Sequence, residues 1–472
     1  MVIKHPSKKS LGIFTLAMIN VAAICAIRNL PTIAESGFTS LFYLLLASLI
    51  FFIPSALVCA ELASAWAKAG GVFAWIKEAF GHKTGFLAIW LLWFQNVIWY
   101  PTALSFVAGA IAYFFEPSLV DNRLFNISVI LIILWVTTLV NLLGMRTSSF
   151  ISTLAVLVGT IAPGFIIILL GFNWFFGGHP LQISFTAQNF FPNLAEPTQL
   201  VIFTGFLLAL LGMEMSSVHV KDVKQPHKDY PKAILISAIL IFAFYALGGL
   251  AIAVVIPQEQ ISLTSGSLQA FSTIVESYGL SKLTPYMAFL ILLGAIGSIS
   301  TWVAGPVRGL LAAAQTGDLP PFFRKINRHE MPVNLLLIQA VVVSILSMLF
   351  VLMPSINSAY WILSVMVTQV YLVMYLMLFS AAIKLRYKRP DVKRLYKIPG
   401  GLFGMWLVAG VGFIGSLATI IIGFFPPAQI ATGNVTFYVS FLLGGMILIC
   451  LGPSIILLFK KPSWEKLLKH EK

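Results

Sequence analysis

Two ionisable residues draw attention because of where they fall. Arg28 and Glu214 each interrupt a long apolar run. A charge at the centre of a bilayer-spanning segment costs about 2.5–3.5 kcal/mol on insertion scales, so such a residue faces the protein interior and marks a path for solute, ion or proton. Glu214 sits in Gly212-Met213-Glu214-Met215-Ser216-Ser217, a poor continuous helix, because glycine is entropically costly and serine bonds its own backbone. Arg28 is surrounded by Asn20, Cys25, Asn29 and Pro31, and proline removes a backbone donor and starts or kinks a helix. Both runs therefore read as helices broken near their middle. Half-helix N-termini at such breaks face a carboxylate, and opened carbonyls face a cation or an ammonium group. The chemistry is that of a zwitterionic, amino-acid-like solute. The competing reading is that Gly212 and its serines only let neighbouring helices approach closely. A third acid, Glu61, lies near one end of its run, where it reaches water or pairs with a loop lysine.

The elements that would carry these residues follow from composition. The 472 residues are 59% hydrophobic and only 10% charged, with mean hydropathy +0.94. A soluble chain carries about 25% charged residues, which excludes a soluble enzyme, a disordered protein and a secreted disulfide scaffold. Apolar runs occupy 11–33, 38–63, 85–115, 126–144, 150–172, 199–219, 232–256, 283–314, 333–353, 358–383, 403–425 and 435–459. Most reach the length that crosses a bilayer core, and they lack the alternation of barrel strands. The expectation is an all-α polytopic membrane protein of twelve transmembrane helices. Between the second and third runs, the mildly amphipathic stretch from Trp66 to Phe80 predicts a short interfacial helix. The first run is kept as a span, not a signal peptide, because it ends in Arg28-Asn29-Leu30-Pro31, a poor cleavage context.

Charge sets the orientation. With both termini in the cytoplasm, 27 of the 30 Lys and Arg residues fall on the cytoplasmic side and only Arg123 and Lys282 in outer loops. The formal charge of +14 is thus a topology signal, aided by contact with anionic membrane lipid, and no nucleic-acid partner is expected. Cys25, Cys59 and Cys450 lie far apart in apolar runs and form neither a metal site nor a disulfide framework, so no metal or cofactor is expected. Arg28 and Glu214 stand 186 residues apart, the length of five spans, which is the pattern of two inverted repeats whose first helices are broken. The division is a cytoplasmic N-terminus (1–10), a first repeat (11–172), a second repeat (199–383), two further spans (403–459) and a cytoplasmic C-terminus (460–472).

At these residues the chain resembles the amino acid–polyamine–organocation transporters, especially their glutamate/GABA antiporter branch. The strings that carry the resemblance are LPTIAESGF (Leu30 to Phe38), GGVFAWIKEAFG (Gly70 to Gly81), GMEMSSVHVKDVKQPHKDYPKA (Gly212 to Ala233), WVAGPVRGLLAAAQTGDLPPFF (Trp302 to Phe323) and KRPDVKRLYKIPGG (Lys388 to Gly401). The resemblance implies a LeuT-like fold of five-plus-five inverted repeats with broken helices one and six, and alternating access. It implies a small amino acid or related amine as substrate. The span-one backbone that cradles the substrate carboxylate falls on Ile24-Cys25-Ala26, where many relatives have glycine-serine-glycine. Glu214 falls on an acid associated with proton-sensitive gating. Leu208 falls on the gating aromatic of the arginine exchangers, and Gln95, Tyr371 and Tyr375 match residues of the antiporter branch. Two positions depart: Ser298 where an acid is expected, and Arg28 where that branch has an aromatic. Together they make the pocket more electropositive and favour an anionic side chain, unless Arg28 pairs with Glu35 or Glu214. The sequence ends at Lys472, soon after the last run, without room for a cytoplasmic plug. Span five has no lysine of the kind that replaces sodium in some proton-coupled relatives. Ser298, Ser300 and Thr301 offer hydroxyls to a sodium site or, as the plainer reading, pack helices.

The resulting expectation is an amino-acid antiporter, monomeric or homodimeric, with a proton-coupled amino-acid or polyamine symporter as the alternative. A channel or a non-transporting sensor is the alternative from another class. No symmetric polar ring or filter supports a channel, and no nucleophile elbow, metal cluster or phosphate loop supports an enzyme. His219 and His227 read as solvated loop residues.

Overall fold

The computed structural model describes residues 12–66, 71–144, 157–193, 195–216, 225–462 and 464. Among these the regular structure is helical, apart from one isolated bridge between Ile326 and Pro332. Ten helices among the described residues are long and apolar enough to cross a membrane. Span two is Gly37–Ala65, span three His82–Phe115, span four Arg123–Leu142 and span five Leu157–Phe176. Span seven covers Lys228–Ala253, and span eight lies in the helix Thr284–Gln315. Spans nine to twelve are Val333–Leu352, Ile356–Lys388, Gly401–Ile422 and Val435–Leu458. Span one is a bent pair, Ile13–Ile24 and Ile27–Ala34, with 51° between its halves. The expected sixth run contains the shorter apolar helix Pro197–Leu210, followed after a two-residue gap by Met213–Ser216. Every expected run thus holds a helix, with ends moved by a few residues.

Spans three and ten are buried over most of their length, and span eight packs along span three. Span twelve lies at the rim, with Leu443, Leu448 and Leu458 exposed as a lipid-facing surface requires. Spans five and eight touch backbone to backbone at Gly159 and Gly294, where a Cβ on either would collide with the other chain segment. Span two carries an unexpected π-turn, Ser48–Phe52, just before Pro54. Proline has no N–H to return to the preceding turn, and the ladder widens there. The interfacial helix forms as Gly71–Phe80, burying Val72, Trp75, Ile76 and Ala79 on one face.

Candidate functional site

Span one stops at Ile24. Cys25 and Ala26 are extended, a 3-10 turn Ile27–Asn29 follows, and Pro31 lies in the first turn of the next helix, Leu30–Ala34. The opening therefore falls at Cys25–Ala26, one turn before Pro31, and Arg28 sits in the turn that restarts the span. Span six opens at Leu211 and Gly212. Gly212 has φ +117°, a conformation that a side chain strains, and nothing lies within 4 Å of a Cβ built there. Backbone conformation, not packing, is the reason for glycine at this point.

The two openings share one side chain. The Tyr245 hydroxyl, from span seven, donates to the Ile24 carbonyl (2.7 Å) and lies 3.2 Å from the Ala209 carbonyl. It accepts from the Ala26 amide (3.2 Å) and from Asn29 Nδ2 (3.1 Å). Sequence reasoning missed it, because a tyrosine in an apolar run reads as filler. The one available signal is that a buried phenol needs partners for its polar tip. The consequence for the site is direct: the Ile24 carbonyl and the Ala26 amide already have a partner in the protein.

A cavity of about 310 Å³ lies between the openings, within the size range of small-ligand sites. Ile24, Cys25, Ala26, Arg28 and Asn29 line it from span one, and Leu208, Ala209 and Gly212 from span six. Gln95, Asn96 and Trp99 of span three, Ser298 and Trp302 of span eight, and Tyr371 of span ten complete the wall. Of the expected binding residues, only Tyr375 is outside this lining. Arg28 is the only charged residue among the described lining residues. Its guanidinium lies 4.6 Å from the centre of the Trp99 ring, a cation–π arrangement. The expected pairing with Glu35 or Glu214 is absent: among the described residues, no carboxylate lies within 4.0 Å of Arg28. The side chains of Ser300 and Thr301 lie outside the described residues, as do His219 and the side chain of His227.

Glu214 stands below the cavity, buried at 3% exposure. Tyr371 and Tyr375, one turn apart on span ten, donate to its two carboxylate oxygens. The Tyr375 hydroxyl is also 3.4 Å from the Gly212 amide. Tyr371 thus touches both the cavity and the acid, and the three side chains bridge span six to span ten.

Glu61 departs from expectation in its partner. It is 1% exposed and meets arginine, not a loop lysine. Arg386 of span ten reaches it through Nε and one Nη, both at 2.5 Å, and Arg394 Nε lies at 3.1 Å. The Ile398 amide donates to it at 2.8 Å, while Arg386 also donates to the Ile398 and Gly401 carbonyls. A buried carboxylate with this many donors is fully compensated. The neighbouring Tyr396 phenol, in the same loop, is pushed up to about 12 by burial and then by the Glu61 charge, so it stays neutral in the clamp.

A bundle of apolar helices in which two spans open side by side around a cavity is a membrane transport protein, not an enzyme. The chain belongs to the amino acid permease family, whose model matches residues 11–448. It is 43% identical, over 98% of its length and 99% of the relative's, to a protein of Legionella pneumophila described as an uncharacterized transporter. It is 34% identical to the glutamate/gamma-aminobutyrate antiporter of Lactococcus lactis, covering 95% of this chain and 90% of the relative. A probable agmatine/putrescine antiporter of Lactococcus lactis is 23% identical, with 95% of each chain covered. This chain is thus a multi-pass membrane protein of a family that transports amino acids and related amines.

Proposed function

We propose that the protein exchanges amino acids carrying an anionic side chain, by alternating access across the cytoplasmic membrane, with both termini cytoplasmic. The observation that carries this reading is Arg28, a cation that faces the Trp99 ring and has no carboxylate partner among the described residues, on the wall of a cavity set between two opened helices. An ion of this kind in an apolar interior is stabilised when a ligand supplies the opposite charge. A carboxylate side chain does so. The span-one opening at Cys25–Ala26, whose amides are already held by Val21 and Tyr245, and the span-six opening form the end of the cavity assigned to the α-carboxylate and amine. Gln95, Leu208, Gly212, Ser298 and Tyr371 shape the side-chain pocket. The similarity to a glutamate/gamma-aminobutyrate antiporter supports this choice over a cationic amine, which Arg28 would repel. In this reading 11–172 and 199–383 are the two inverted repeats.

Glu214 supplies a gate. While ionised it accepts from Tyr371 and Tyr375 and holds span six against span ten. Protonation removes the charge that both hydroxyls face and loosens the bridge. This favours proton-linked transport as a second reading.

The deciding experiment uses proteoliposomes preloaded with one unlabelled amino acid at a time, and follows uptake of labelled glutamate, gamma-aminobutyrate, arginine and leucine at two pH values. Uptake that needs internal amino acid supports exchange. Uptake into empty liposomes driven by a pH gradient supports symport instead, and no uptake of any amino acid sinks the transport assignment. Glu214→Gln is expected to flatten the pH profile; an unchanged profile removes Glu214 from the gate.

A further inference from the structure

Where span ten leaves the bilayer and span eleven enters it, the two helices do not close on each other. A groove of about 710 Å³ lies between them, within the size range of small-ligand sites. On span ten its wall is Ser380, Ile383, Lys384 and Tyr387, one face of the helix, and on span eleven it runs from Trp406 to Ile414. Eight steps of 1.5 Å make it about 12 Å long, parallel to the helices. Phe80, the last residue of the interfacial helix, joins the wall.

A glycine keeps the groove open. In span eleven a Cβ at Gly412 would strike the Phe379 ring, and one at Gly415 would meet Ile50, so packing calls for both. Gly410 is different: it lines the groove, and nothing lies within 4 Å of a Cβ built there. A glycine inside a helix is destabilising relative to alanine. What this one provides is room beside span ten.

The polarity of the wall runs one way. At the deep end are Phe413 and Ile414, and the Ser380 hydroxyl donates to its own helix at the Leu376 carbonyl. At the loop end Trp406 donates to the Tyr387 hydroxyl (3.0 Å), an aromatic pair of the kind found at headgroup level. One turn before Tyr387, the exposed Lys384 holds its ammonium 4.5 Å from the centre of the Phe80 ring. Among the described residues no carboxylate lies within 4.0 Å of it. Glu78 of the interfacial helix is engaged by Arg389 instead (2.9 Å). Residues 384–397 hold seven Lys and Arg against one acid, Asp391. An apolar trough with a cation and an aromatic pair at its mouth matches a molecule with one anionic end and a long apolar tail.

We propose that this groove binds an anionic phospholipid of the surrounding leaflet, with its phosphate at Lys384 and one acyl chain beside Gly410. A zwitterionic lipid brings its own ammonium to the phosphate and gains less from Lys384. The bound lipid braces span ten, which carries Tyr371 and Tyr375, against span eleven and the interfacial helix. In the orientation proposed above, the leaflet is the cytoplasmic one.

Purified protein in detergent is offered phosphatidylglycerol, phosphatidylcholine or inorganic phosphate. Retained lipid is counted by native mass spectrometry, and the unfolding midpoint is read. Phosphatidylglycerol is expected to stay bound and raise the midpoint, phosphatidylcholine to do so less, and phosphate not at all. Lys384→Gln should weaken phosphatidylglycerol binding about fivefold, the effect of one lysine near a charged membrane surface. Lys325→Gln, at an exposed lysine outside the groove, should leave it unchanged. Gly410→Leu fills the groove from open space, so it should keep the lipid-free midpoint and lose the retained lipid.

Equal retention of the two lipids overturns the proposal, as does a midpoint raised as far by phosphate. So does Lys384→Gln that binds no worse than Lys325→Gln, or Gly410→Leu that holds lipid as the wild type does. Should the leucine variant not fold, the two lysine arms decide. None of these readouts involves transport or orientation, so they stand or fall apart from the exchange reading.

Discussion

At the scale of single residues, Arg28 makes the sharpest demand. Hydrogen bonds to a charged group contribute about 1.5–3 kcal/mol, roughly 10- to 150-fold in affinity. Arg28→Gln is therefore expected to raise KM for glutamate by that factor and to leave neutral amino acids nearly unchanged; an equal loss for both would make Arg28 structural. Tyr371→Phe removes one donor from Glu214 and one polar group from the cavity wall. It should lower kcat for exchange, whereas an unaltered kcat would separate Tyr371 from the gate. Arg28 and Glu214 were legible in the sequence as buried charges, because a charge in an apolar run is costly in lipid. Tyr245 was not, because its significance lies in which backbone groups converge on it, and two of those come from positions more than 200 residues away. Glu61 was half legible: the burial of an acid was visible, but its arginine partners lie 325 positions or more along the chain.

At the scale of elements, the openings and the clamp behave differently. The span-six opening depends on a positive φ at Gly212 with free space around it, so Gly212→Ala tests backbone strain alone. Holding a non-glycine residue in such a region costs on the order of 1–3 kcal/mol. The expected outcome is a lower unfolding midpoint with altered exchange kinetics; no change in either would mean that the opening tolerates another geometry. Breaking a buried ion pair by removing one partner costs about 3–5 kcal/mol. Glu61→Gln should therefore severely destabilise the ends of spans two and ten that meet there, measured as the unfolding midpoint in detergent, and an unchanged midpoint would contradict the buried arrangement. The residue types alone drew attention to Arg28 and Pro31, while the resemblance put the cradling backbone at Ile24-Cys25-Ala26; the opening lies there, at Cys25–Ala26, and Pro31 sits comfortably in the first turn of Leu30–Ala34. The π-turn in span two was not anticipated, since Pro54 reads from sequence only as a possible kink.

At the scale of the molecule, hydrophobicity and charge distribution were enough to outline the bundle. Helix length in lipid follows from bilayer thickness, so the apolar runs and the helices coincide closely. What runs of hydropathy do not encode is which helices lie at the centre. Span ten is buried by its neighbours and span twelve lies at the rim, although both are strongly apolar runs. The basic residues predict that the loop around Arg123 is external and the loop holding Arg389 and Arg394 is cytoplasmic. Single cysteines at Ser118 and at Asp391, in a background without the three native cysteines, should react with a membrane-impermeant maleimide from outside the cell and only after permeabilisation, respectively. The reverse pattern would invert the topology.

The clamp around Glu61 also has a history, set during synthesis. Its carboxylate is made 325 residues before Arg386. At about 5–20 residues per second, roughly 16 to 65 seconds pass between the two. Until span ten is delivered, the second span holds an acid with no arginine beside it. The nascent chain must keep that helix end at the aqueous face, or shelter it against the insertion machinery, before the bundle closes. A chain halted after span nine should therefore be degraded faster than one halted after residue 401, a difference that pulse–chase labelling in cells would reveal.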